Sequence, residues 1–233
     1  MADLLVIAPH PDDAEIHAGG LICSHARAGR SVVIVDATAG ELGSRGTTAQ
    51  RAAEAAAAAA ELGVVARENL GLPDGGLVAG DPQQRAAVIG AIRRHRPLVV
   101  VALHGHARHP DHTALAGLVQ AAIKGAALHR LPAPGGHEAW AGARLVWVEA
   151  ELPIEPTALV PLGAEAWAAK MRAVRCYGSQ IAGSSGPATS IARPEFLAWI
   201  EARGRVWGEH CGAPYAEAVR AAEAFRLHDL VLA

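Results

Sequence analysis

Two short stretches of this 233-residue chain concentrate the side chains that bind transition metals and move protons. The first is His10-Pro11-Asp12-Asp13-Ala14-Glu15. The second holds four histidines within nine residues, His104, His106, His109 and His112, with Asp111 just before the last. His10 and Asp13, at i and i+3, can fall on one side of a tight turn and chelate one ion. Asp12 between them then points elsewhere, toward the place of a water on that ion. A histidine of the second stretch would complete a His–Asp–His set. Three protein ligands around Zn2+ leave a coordination position open, which is the catalytic rather than the structural arrangement. Asp12 is the spare carboxylate, suited to a general base. Ferrous iron suits the same donors.

Each stretch alone also reads as a proline turn with an aspartate capping the next helix, Asp111 in the second case. Four histidines so close together are harder to explain as solvated surface. The other seven (His17, His25, His95, His129, His137, His210 and His228) are dispersed and read as surface or satisfied core groups.

A sheet must bring the two stretches together. Leu4–Ala8 runs into the first and Leu98–Leu103 into the second, while Ser31–Ala37 and Leu145–Val148 are further short apolar runs. Such runs, bounded by turn residues, fit buried strands of a parallel sheet. Helices are expected over Ala14–Ala28, Thr47–Leu62, Pro82–His95, Thr113–Ala126, Ala164–Cys176 and Pro194–Glu209. Gly29 and Gly63 act as stops and Asp81-Pro82 as a start. This alternation predicts an α/β fold: a Rossmann-like, doubly wound, mostly parallel sheet with helices on both faces. Ligands of such sheets bind beyond the carboxyl ends of the strands, where both stretches fall. No linker divides the chain, so one domain over residues 1–233 is expected. Beyond about residue 131 it reads as more irregular, completing the pocket. Asn69–Gly76 reads as a tight turn and Gly178–Ser190 as a loop.

Composition excludes several partners. Basic residues number 21 and acidic ones 23, a net charge of −2, which gives no reason to expect nucleic acid or a membrane surface. No apolar run reaches membrane-spanning length and no targeting segment opens the chain, so a cytoplasmic location is expected. Three cysteines make no disulfide framework, and no CxxC zinc pair exists. The first turn lacks GxGxxG and no GxxxxGK[ST] occurs, which disfavours a nucleotide. Gly40, Gly43 and Gly46 form a loop in which Arg45 could grip a substrate's anion or hydroxyls. A solvated arginine is the other reading.

The run Ala8-Pro9-His10-Pro11-Asp12-Asp13-Ala14-Glu15 followed by Gly19-Gly20, with His109-Pro110-Asp111-His112, resembles the signatures of the zinc-dependent N-acetylglucosamine deacetylases called LmbE-like or PIG-L-type. Gly40–Thr47, Asn69–Gly76, Tyr177–Gln180 and Pro214–Val219 are similar to segments of the subgroup that deacetylates N-acetylglucosaminyl-malate in bacillithiol synthesis. The likeness runs in order over most of the chain. It implies Zn2+ (or Fe2+) on His10, Asp13 and His112, with Asp12 activating the water. It also implies that a protonated His109 stabilises the oxyanion or protonates the leaving amine, with Asp111 tuning and orienting it. Arg45, Glu41 and Tyr177 are implied as substrate-binding residues for a small acetylated amino sugar. A homo-oligomer, commonly a hexamer, is implied as well. Many members place a tyrosine shortly before HPDH as an oxyanion donor, where this chain has Ala107 and Arg108; His104, His106 or a group from elsewhere could substitute, and the role is left unassigned.

The expected reaction is removal of an N-acetyl group from a GlcNAc conjugate, foremost the malate one. Chitooligosaccharides or a mycothiol-type conjugate are the alternatives. A non-catalytic Rossmann-like binding module predicts no stoichiometric metal, and a metal store or sensor predicts exchangeable metal without turnover.

Overall fold

A computed structural model describes residues 1–181 and 186–224; His228 and part of the loop expected over Gly178–Ser190 lie outside them. Among the described residues seven strands form one sheet: β1 (Leu4–Ala8), β2 (Val32–Thr38), β3 (Ala66–Leu72), β4 (Val99–Leu103), β5 (Arg144–Val148), β6 (Ala158–Leu162) and β7 (Tyr215–Ala221). Their order is β3-β2-β1-β4-β5-β7-β6. The first five run parallel, β7 is antiparallel to β5, and β6 is antiparallel to β7. The expected α/β class with a mostly parallel sheet is what the chain adopts.

Six α-helices among the described residues cover it: α1 (Asp13–Arg27), α2 (Thr48–Leu62), α3 (Pro82–His95), α4 (Pro110–Ala126), α5 (Ala164–Arg175) and α6 (Phe196–Cys211). Side chains alternate across a strand, so β1 sends Leu4, Val6 and Ala8 to one core with α1, α2, α5 and α6. Leu5 and Ile7 go to the other, with α3 and α4. Local signals set the helix ends. Thr47 caps α2 by accepting from the Gln50 amide, and Gly63 closes it in the left-handed conformation at φ 73°. Asp81 caps α3 through the Gln83 and Gln84 amides, with Pro82 in its first turn. Among the described residues no helix is long and apolar enough to cross a membrane.

Three strands escape the sequence reading for physical reasons. Edge strand β3 (ARENLGL) pairs only with β2 and is half exposed, so it carries polar residues where an apolar run would mark a buried strand. The expected turn at Asn69–Gly76 is therefore the end of a strand followed by a turn. Edge strand β6 contains Pro161, which only an edge tolerates. Strand β7 buries Glu217, whose charge hides the apolar pattern and is answered by Lys170 Nζ at 2.6 Å.

Because β1, β2, β3, β4 and β5 are parallel, the turns that follow them lie along one edge of the sheet. The connection from β1 leads to one side and that from β4 to the other, so the crevice between their ends is the switch point of the fold. The two stretches rich in histidine and aspartate start there.

Candidate metal centre and catalytic site

The turn after β1 is strained. Asp12 has φ 119°, a region that favours glycine. Its side chain does not cap α1, contrary to the proline-turn reading. Arg51 of α2 holds it instead: Nη2 donates to Asp12 Oδ2 at 3.1 Å and to the Pro11 carbonyl, and Nη1 donates to the Gly40 carbonyl at 3.1 Å. One buried guanidinium thus pins the strained turn to the loop after β2.

Beside it, Asp13 Oδ2 lies 3.1 Å from His10 Nδ1 and 3.2 Å from His112 Nε2. The three donors fall within 4.8 Å of one another and all three residues are buried. Each imidazole turns its second nitrogen to another carboxylate. His10 Nε2 is 3.1 Å from Asp74 Oδ1 and 3.2 Å from Asp111 Oδ2, and His112 Nδ1 is 3.3 Å from Glu151 Oε2. Carboxylates placed behind histidines in this way orient metal-ligating imidazoles and raise their basicity. The last pair is out of line for a hydrogen bond and leaves both atoms buried without a partner. The donor set of two imidazoles and one carboxylate fits Zn2+ or Fe2+.

The electrostatics agree with a cation site. Burial works against charge on His10, but the hydrogen bond and charge of Asp13 outweigh it and push His10 up to about 9. Burial likewise opposes charge on His112, yet Asp13 and Glu151 push it up to about 10. Asp13 is itself buried, but His112 and His10 hold it well below the usual carboxylate range. The cluster draws positive charge inward, and a metal entering it would displace protons. Asp12 differs: burial pushes it up to about 7, with Arg51 pulling the other way.

His109 caps α4, with Nδ1 accepting from the Asp111 amide at 3.2 Å, so Asp111 is not the cap. Nδ1 being the acceptor, the ring's proton sits on Nε2. Burial, and then the charges of His10 and His112, push His109 down, with Asp111 and Asp13 pulling the other way. The Asp111 carboxylate accepts the Gly75 amide at 2.7 Å and the Leu77 amide at 3.2 Å, and it faces His10. It thereby holds the loop after β3 against His10. His10 and Asp111 also converge with the exposed His109.

These groups line an open pocket walled by Leu42, Gly43, Ser44, Ile191, Phe196 and Trp199, with Arg108 and Arg193 exposed at its rim. Three residues expected to bind substrate do not line it. Arg45 is buried, donating through Nε to the Ser179 carbonyl at 3.2 Å and through Nη1 to the Pro187 carbonyl at 2.9 Å, which ties two loops together. Glu41 is exposed and accepts the Asp74 amide at 2.8 Å. Tyr177 is in the core at 1% exposure, its hydroxyl donating to Glu15 at 3.2 Å. Arg45 and Glu41 tie together loops that carry pocket residues, and Tyr177 packs in the core.

Sequence reasoning missed Arg51, Asp74, Glu151 and His17. Glu151 follows the end of β5, so the strand-end rule that found the other turns also points to it. His17, read as a dispersed histidine, packs edge-on to His112 with ring centroids 6.3 Å apart. It lies one helical turn after Asp13, a spacing visible in the sequence. Arg51 sits among alanines with no local mark of its role.

A family model described as "PIG-L: GlcNAc-PI de-N-acetylase" matches residues 5–123, just over half of the chain. The 1D-myo-inositol 2-acetamido-2-deoxy-alpha-D-glucopyranoside deacetylase of Rhodococcus erythropolis is 30% identical over 64% of this chain, and the match spans 61% of that relative's length. The enzyme of the same name from Actinosynnema mirum is 31% identical over 76% of this chain and 80% of its own. Among solved structures, the conserved protein TT1542 from Thermus thermophilus is 37% identical and covers both chains completely, with a TM-score of 0.88. GalB, the 4-carboxy-2-hydroxymuconate hydratase of Pseudomonas putida, covers 99% of this chain with a TM-score of 0.76, but at 23% identity it shares the fold alone. With the HPDD and HPDH turns meeting at the switch point inside the matched region, the chain belongs to the PIG-L family of GlcNAc-PI de-N-acetylases.

Proposed function

We propose that this protein is a metal-dependent hydrolase that removes the acetyl group from an N-acetylglucosamine conjugate. The observation that carries the reading is the shared oxygen of Asp13, 3.1 Å from His10 and 3.2 Å from His112, with Asp12 held beside it by Arg51 in an open pocket. His10, Asp13 and His112 would hold the ion. When bound, such an ion supplies Lewis acidity toward the acyl oxygen and the attacking water.

The chain's own groups do the rest. Asp12 takes a proton from the water as its oxygen attacks the acetamide carbon. His109 offers its Nε2–H to the negative charge that develops on the acyl oxygen, the largest electrostatic term in reactions of this type. The C–N bond then breaks, the proton held by Asp12 passes to the departing nitrogen, and acetate and a free amine leave. Phe196 and Trp199 give the sugar an apolar wall.

For the group attached to the sugar, an inositol-type conjugate has the support of the relatives named for it, which the malate conjugate lacks. One observation favours malate as the second reading: Arg108 and Arg193 at the rim suit an acidic aglycone. Acetate release from N-acetylglucosaminyl-inositol and from N-acetylglucosaminyl-malate, each with chelator and then added Zn2+, tests both levels. Turnover abolished by chelator and restored by zinc is expected, faster on the inositol conjugate. Stoichiometric absence of metal and of turnover on both would refute the hydrolase reading.

A further inference from the structure

We propose that Arg203 of α6 is a positioning residue for the metal centre, bracing at once the groups behind two of its ligands: His17 behind Asp13, and the Glu151 loop behind His112. The inference rests on the reading of His10, Asp13 and His112 as that centre.

The side chain of Arg203 is 14% exposed and all its described contacts run inward to the site. Nη1 donates to the Ala150 carbonyl at 2.6 Å and lies 3.7 Å from Glu149 Oε1. Glu149 is fixed in turn by Trp207 Nε1, which donates to its Oε2 at 2.7 Å. Ala150 immediately precedes Glu151, whose Oε2 is 3.3 Å from His112 Nδ1. The guanidinium therefore sets where that carboxylate stands behind His112.

Nη2 reaches the other ligand. It lies 3.4 Å from the Ile16 carbonyl and 3.4 Å from His17 Nδ1. Arginine offers only donors, so His17 Nδ1 is the acceptor and its proton sits on Nε2. That N–H faces Asp13 Oδ1 across 3.9 Å, while Asp13 Oδ2 faces His10 and His112. Arg203 thus selects the tautomer that turns an N–H toward one oxygen of Asp13 and leaves the other as the donor to the ion. The same guanidinium packs 4.4 Å from the Trp199 ring, a wall of the pocket. A planar fork of donors can serve the Ala150, Ile16 and His17 acceptors together, whereas a lysine serves fewer of them at a time.

The test is zinc affinity of the full-length protein, measured by competition with a chelating dye, together with the visible absorption of the Co2+-loaded form. Arg203→Met is expected to bind zinc about 10–100-fold more weakly, the range for lost partners behind metal ligands, with shifted Co2+ bands. Arg203→Lys recovers part of the affinity. Arg205→Met, an exposed pair partner of Glu201 on the same helix, leaves both readouts unchanged. His17→Phe keeps Arg203 on Ala150 and also weakens binding. Combined with Arg203→Met it adds less than the product of the two effects, because both act on Asp13. A folded Arg203→Met that binds zinc within about twofold of wild type, with unshifted Co2+ bands, overturns the proposal. Should that variant not fold, near-wild-type affinity in both Arg203→Lys and His17→Phe overturns it. Wild-type protein without stoichiometric metal would instead overturn the centre itself.

Discussion

Replacing Arg51 by methionine removes the cation paired with the buried Asp12 carboxylate and the hydrogen bonds that Arg51 gives to the Pro11 and Gly40 carbonyls, leaving Gly40 with the Gly43 amide alone. Its cost depends on pH in a way that can be worked out for the metal-free protein. Burial pushes Asp12 up to about 7 in the fold against 3.8 as its ordinary value. The native state therefore binds more protons than the unfolded one between those values, and stability falls as pH rises through that window, in wild type and variant alike. Below pH 7 the folded Asp12 is protonated in both, and the variant loses only hydrogen bonds, about 1–3 kcal/mol. Above pH 7 the wild-type carboxyl ionises against Arg51. Without the cation, its pKa moves higher and it stays protonated. The gap then widens by up to about 1.4 kcal/mol per pH unit, to about 2–4 kcal/mol at pH 8. That approaches the roughly 3–5 kcal/mol typical of a broken buried pair. For a chain of this size it lowers Tm by roughly 5–15 °C. Urea unfolding at pH 5 and pH 8 reads the effect. Equal losses at the two pH values would refute the pairing of Arg51 with an ionising Asp12.

Two further outcomes follow from the same geometry. Asp12→Asn keeps the shape of the turn and its contact with Arg51 but cannot take a proton. Acetate release should fall by about 10²–10⁴-fold while zinc content by elemental analysis stays at the wild-type level; parallel loss of metal would place Asp12 among the ligands. Gly208→Ala puts a methyl 2.6 Å from the Ala213 carbonyl oxygen and 2.8 Å from Tyr215 Cα, backbone atoms with no room to yield. It should cost about 1–3 kcal/mol in thermal unfolding, and Gly80→Ala, which meets nothing within 4 Å, serves as the tolerated control.

What the sequence made legible is what short-range chemistry controls. The runs LLVIA and VVVAL read as strands because buried parallel strands need no polar face. HPDD and HPDH read as ligand turns because imidazole and carboxylate donors crowd at their ends. Strand β7 stayed hidden because Glu217, paired with Lys170 and accepting the Gly20 and Leu21 amides, replaces an apolar residue at a buried position. Arg45 and Tyr177 misled for a related reason. Both sit in segments that belong to the pocket, but each side chain turns away from it, and side-chain direction in a loop is decided by what packs behind.

The division between what was legible and what was not also falls along the chain. His10, Asp12, Asp13, Arg51, His109 and His112 lie within residues 5–123, the stretch shared with the family. They sit in the turns and helices that follow β1, β2 and β4, strands that the parallel order places side by side. Glu151, Arg193, Trp199 and Arg203 come after that stretch, from the turn after β5, the loop before α6 and α6 itself. His17 meets Arg203 across 186 residues, a pairing that no local pattern announces. The chemistry of the site is therefore set by the first half of the chain. The second half adds Ile191, Arg193, Phe196 and Trp199 to the wall and rim begun by Leu42, Gly43, Ser44 and Arg108, and it supplies the Arg203 side of the proposed brace. Exchanging residues 149–203 for those of a relative should change which conjugate is hydrolysed before it changes whether an acetamide is. Co2+ bands of the exchanged protein would show whether the brace had travelled with the wall.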